Sequence, residues 1–91
     1  MDDFVTHACE QVLRFTQADN WDNLSEERKV QLAFNVGVIA HGLSLTKEEG
    51  FQALADIRQG VETIQAFRDN MKSLIESHGV KVNEANVQKP F

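Results

Sequence analysis

The chain of 91 residues is long enough for one domain with one compact core and too short for a second. Hydrophobic residues make up 42% and charged residues 25%, ordinary globular values that exclude wholesale disorder. Nine basic against fourteen acidic residues leave a net charge of −5, the wrong sign for a protein that lives on nucleic acid. A single cysteine, Cys9, excludes an internal disulfide framework or a multi-cysteine zinc module.

Apolar residues recur at three- and four-residue spacing along almost the whole chain, which predicts an all-α fold. In the first segment Phe4, Val5, Ala8, Val12 and Phe15 fall on one side, with Cys9 and Leu13 widening the stripe. Asp2 and Asp3 precede it, where acidic charge suits the positive end of a helix dipole. The start Met1-Asp2-Asp3-Phe4 is acidic where a signal peptide needs Lys or Arg, and no apolar run reaches membrane-spanning length. With the free thiol, this predicts a cytoplasmic protein with no membrane partner. The turn formers of Asp19-Asn20-Trp21-Asp22-Asn23 end the first helix near Ala18.

The second helix starts at Asn23 or Ser25, both good N-caps, and stops at Gly42, read as a left-handed cap. The third opens on Thr46-Lys47-Glu48-Glu49, the spacing of a capping box. From Phe51 the pattern runs through Leu54, Ile57, Val61, Ile64, Phe67, Met71, Leu74 and Ile75, with Gly60 the one candidate break. A break or kink there is favoured over a single helix reaching His78, which would be long for so small a domain. Gly79 closes the last helix. The expected architecture is a small three- or four-helix bundle over residues 1–79, followed by a short polar C-terminal tail over 80–91.

Helix two is unusual in being apolar almost all round. Leu32, Val36, Ile39 and Leu43 form one row, Ala33, Gly37 and Ala40 form a row of small residues, and Phe34 and Val38 lie elsewhere around the axis. Such a helix must be covered on nearly every side, either as the central core helix or with one side against a second copy or another protein. Charge is uneven too: residues 1–27 net −6 and the remainder +1. The acidic end contains Asp19, Asp22, Glu26 and Glu27 around Trp21, which is either an interface anchor or a plug for one end of the bundle. Glu62, Asp69 and Glu76 form a further acidic stripe, read as a solvated helix face.

Catalytic chemistry is not expected. His7, His41 and His78 are scattered without metal-ligand spacing, so no metal and no cofactor are implied. Cys9 lies among apolar positions and reads as a buried thiol, and the five glycines follow no phosphate-binding pattern. A helix-turn-helix built from helices two and three would lead with Glu48 and Glu49, so direct nucleic-acid binding is not expected either.

The leading expectation is a non-catalytic interaction module: a small acidic inhibitor, anti-activator or adaptor that binds a larger protein with a basic surface. Phage-type antagonists are one such group, by analogy of class alone. The partner-binding candidates are Trp21, Asp19, Asp22, Glu26, Glu27, Val38 and Ile39, and a homo-oligomer through helix two is a further expectation. The alternatives are a dimeric helix-turn-helix-like transcriptional regulator and a small-ligand-binding helical oligomer.

Overall fold

A computed structural model describes residues 3–88, without the side chain of Asp3. The dipole role expected of Asp2 and Asp3 and the tail's last residues, 89–91, therefore lie outside the described residues. The chain forms α1 (Asp3–Phe15), a single 3-10 turn (Trp21–Asn23), α2 (Glu26–Gly42), α3 (Lys47–Gln59), α4 (Ile64–Ser77) and a one-turn α5 (Glu84–Val87). No strand occurs among the described residues, and the fold is a small all-α bundle.

The boundaries follow from local chemistry. Ser25, rather than Asn23, caps α2: its Oγ accepts from the Arg28 amide at 3.0 Å. The capping box of α3 forms in both directions, Thr46 Oγ1 accepting from the Glu49 amide at 3.1 Å and Glu49 Oε1 from the Thr46 amide at 2.9 Å. Gly60 sits in the left-handed region (φ 59°) and ends α3, and Thr63 caps α4, so the long apolar run is two helices. Two members of the expected apolar pattern are exposed, Phe51 on α3 and Val61 in the connection after it. α1 stops at Phe15, three residues before the expected end, where Thr16 Oγ1 turns back onto the Val12 carbonyl at 2.8 Å.

Gly42 corrects a sequence expectation. It is the last residue of α2, and the left-handed position falls instead on Ser44 (φ 53°). The Ser44 amide bonds to His41 O and the Leu45 amide to Ala40 O, the paired closure of a Schellman motif. What requires glycine at position 42 is space, because a Cβ there would run into the methyl groups of Val5 on α1.

The centre of the bundle is α1 rather than α2. It packs against α2, α4 and α5, while α2 packs against α1 and α3, and α3 against α4. Val12 and Cys9 of α1, Leu32, Val36 and Ile39 of α2, and Ile64, Phe67 and Ile75 of α4 are almost wholly buried. The segment after Gly79, over its described part, lies against α1. Val80 and Val87 are buried, and Glu10 of α1 accepts from the Asn83 amide (2.7 Å) and from Asn86 Nδ2 (3.0 Å). Residues 80–88 thus pack against α1.

Candidate functional site

The buried row of α2 faces the core, and the opposite side carries a second apolar row. Val30, Phe34, Gly37 and His41 follow one another at spacings of four, three and four, which keeps them on one face. A solvated helix would place charges there. Val30 is 68% and Phe34 66% exposed, and Gly37 and His41 are exposed as well. Across from them on α1 stands Phe4, 59% exposed.

Between the two helices runs an open groove. One hollow of about 620 Å³ lies among Phe4, Ala8, Gln11, Phe15, Val30 and Phe34, and a second of about 480 Å³ among Phe4, Phe34, Gly37, Val38 and His41. They share Phe4 and Phe34, so the groove follows α2 from Arg28 to Gly42, about 21 Å at 1.5 Å per residue. A short polar ladder crosses it. Asn35 Nδ2 donates to Gln11 Oε1 at 2.9 Å, and Gln11 Nε2 donates to His7 Nε2 at 2.8 Å. At the end nearest the start of α2, the Arg28 guanidinium lies 4.2 Å from the centre of the Phe15 ring and that of Arg14 5.7 Å.

The acidic end is separate from most of this groove. Asp19 and Asp22 are exposed on the connection between α1 and α2, and Glu26 and Glu27 on the first turn of α2. Glu26 faces Lys29 Nζ at 3.6 Å. Trp21, in the middle of them, is turned inward: its Nε1 donates to the Glu62 carbonyl at 2.7 Å and its ring meets Phe67 edge-on at 5.3 Å. It closes the end of the bundle. Val38 is half-buried at the far end of the groove, about 18 Å along α2 from Glu26. Ile39 is fully buried in the core and has no surface to give a partner. The seven residues singled out from the sequence thus divide among an acidic rim, a bundle plug, a groove wall and the core.

Phe4, Val30, Phe34 and Gly37 line this face but are not among the partner-binding residues named from the sequence. Their signal is present: the Val30–Phe34–Gly37–His41 spacing lies opposite the Leu32–Val36–Ile39–Leu43 row. On spacing alone Phe4 reads as core, since it matches Val5 and Ala8.

Cys9, Glu49 and His78 lie away from the groove. Cys9 is fully buried, and burial, with a smaller contribution from the neighbouring Glu10 charge, pushes its thiol up to about 11. Glu49 is held below the ordinary carboxyl range by its bonds from the Thr46 amide and hydroxyl. His78 caps α4, its Nδ1 lying 2.9 Å from the Leu74 carbonyl. Among the described residues no group of three or more His, Cys, Asp or Glu is placed to hold a metal ion. No helix among them is long and apolar enough to cross a membrane. The α1–α2 face thus presents apolar rings, a small amide ladder and an adjoining acidic rim. Compared with known proteins, the chain matches no protein family, no curated protein and no solved structure.

Proposed function

We propose that the protein is a non-catalytic module that works by binding another polypeptide through the α1–α2 face. The observation that carries this reading is the open groove between those helices, with Phe4, Val30 and Phe34 all more than half exposed around it. Large apolar side chains gathered on one face of a small domain are the usual mark of a contact surface, because leaving them in water opposes solubility and gains nothing for the core. The groove is long and shallow, a shape suited to a helix laid along it rather than to an enclosed small molecule.

The acidic rim of Asp19, Asp22, Glu26 and Glu27 gives the same module a second feature. It is exposed, and it steers the protein toward a basic surface on a larger partner, in keeping with an inhibitor or adaptor role. Trp21 supports that rim by packing rather than by contact with the partner.

The test compares proteins captured by the immobilised wild type with those captured by Phe34→Asp, a change at an exposed site that leaves helix content intact by circular dichroism. A polypeptide held by the wild type and released by Phe34→Asp is the expected result. Identical capture by both would remove the groove from the function. Charge reversal at Asp22 and Glu27 should slow association and weaken its salt dependence without abolishing groove binding.

A further inference from the structure

We infer that the occupant of the α1–α2 groove is a second copy of this chain, packed antiparallel about a twofold axis between Phe34 and Gly37. The inference rests on the groove being a polypeptide-binding surface and names what fills it.

A twofold contact must be self-complementary: each raised feature has to meet a hollow on the identical surface. Phe34 stands out from α2, and one turn further on, on the same face, Gly37 leaves open space where a Cβ would meet nothing within 4 Å. An axis midway between them seats each Phe34 ring over the second copy's Gly37. The same operation brings Val30 against the second copy's His41. It also carries Phe4, at the C-terminal end of α2, to the end of the groove lined by Phe15 and Val30.

Charge selects the direction. A parallel pairing would set Glu26 and Glu27 of one copy on those of the other. The antiparallel pairing places the two acidic N-terminal ends at opposite ends of the contact, away from each other. The two dipoles then oppose each other along their whole length.

Area is sufficient. A phenylalanine exposes on the order of 200 Å² when free, so Phe4 and Phe34 together leave about 250 Å² of ring surface in water. Two neighbouring helices, about 20 Å across and 21 Å along, present on the order of 400 Å² in projection and more in accessible area. Doubled by the twofold, this is about 800 Å² in projection, and the ridged accessible surface of the helices brings it to the roughly 1,000 Å² that a specific interface needs. A charged face of equal size would not associate; this one buries two aromatic rings per copy.

The experiment is absolute molar mass by light scattering on the full chain, from micromolar to millimolar concentration. Wild type should reach twice 10.3 kDa. Gly37→Leu should fill the seat of the Phe34 ring and raise the dissociation constant by roughly tenfold or more. Because position 37 is open in the single copy, Gly37→Ala should keep or raise the thermal midpoint at low concentration while weakening the dimer. That combination separates an interface from a folding defect. A wild type that stays at 10.3 kDa at the highest concentration overturns the inference. So does a dimer that persists unchanged in both Gly37→Leu and Phe34→Asp. If the wild type is a monomer but Phe34→Asp still releases a captured protein, the second copy is wrong and the groove reading stands. If that variant releases nothing, both fail.

Discussion

The indole Nε1 of Trp21 donates to the main-chain carbonyl of Glu62 at 2.7 Å, tying the α1–α2 connection to the α3–α4 connection. The same ring packs edge-on against Phe67 and lies next to Gly60, where a Cβ would sit 3.2 Å from the indole. One side chain thus holds together two loops far apart in sequence. Trp21→Phe keeps most of the ring and removes the hydrogen bond, and should cost about 1 kcal/mol in thermal or urea unfolding. Trp21→Ala also opens a void beside Phe67 and should cost about 2–4 kcal/mol, somewhat less than for a fully buried tryptophan. Binding by folded protein should change less than stability does. A Trp21→Ala variant of full stability and lost binding would make the residue a contact after all.

Position 42 and position 44 exchange the roles that sequence alone assigns to glycine. Gly42→Ala ought to stabilise a helix by up to about 1 kcal/mol on propensity. Here the new methyl meets the branched side chain of Val5, so the change should instead destabilise by about 1–3 kcal/mol. Adding Val5→Ala should recover part of that loss relative to Val5→Ala alone, as a double-mutant cycle would show. Ser44→Gly should act in the opposite sense, stabilising by on the order of 1 kcal/mol, because Ser44 holds a left-handed conformation that costs a side chain energy.

The four longer helices and the start of α3 were legible in the sequence because caps and apolar spacing are local signals, whereas the one-turn α5 was not. Thr46 with Glu49 is the clearest case: the motif spans four residues and needs nothing from the rest of the chain. The central position of α1 was not legible, since each helix shows one apolar stripe and only packing decides which is surrounded. Gly42 looked like a cap because nothing local reveals Val5 across the bundle. Trp21 stayed ambiguous between anchor and plug for the same reason, its partners Glu62 and Phe67 lying more than forty residues away. The groove was half legible: the all-round apolar character of helix two pointed to an uncovered side, but Phe4 is placed on it only by the α1–α2 packing.

Cys9 gives a pH signature. Burial and the adjacent Glu10 charge raise its thiol from 9.0 to about 11 in the folded chain. The folded state therefore holds this proton more tightly than the unfolded state. Its contribution to stability is complete below pH 9 and is lost as pH rises toward about 11, by on the order of 1 kcal/mol per pH unit from one proton. Chemical unfolding at a series of pH values should show this slope in wild type and a shallower one in Cys9→Ala, whatever that change costs in packing. At neutral pH a small thiol reagent should modify Cys9 only as fast as the protein opens.

Glu10 has an environment its sequence position does not suggest. It counts toward the acidic N-terminal third, yet it is 7% exposed and both carboxylate oxygens are engaged by the segment after Gly79. Gln17 reinforces the attachment, its Nε2 donating to the Val87 carbonyl at 2.9 Å. Removing the carboxylate leaves the Asn83 amide and the Asn86 side chain without their acceptor, and a group deprived of its partner in a partly buried site costs about 1–3 kcal/mol. Glu10→Ala should therefore loosen residues 80–88 before it affects the rest of the bundle, with Val80 and Val87 losing protection first. Hydrogen exchange resolved by residue should show faster exchange in that segment and in the face of α1 it covers, with α3 little changed. Glu10→Gln, which retains one acceptor oxygen, should fall between the two. Uniform acceleration across all the helices would mean that the segment and the bundle open as one unit.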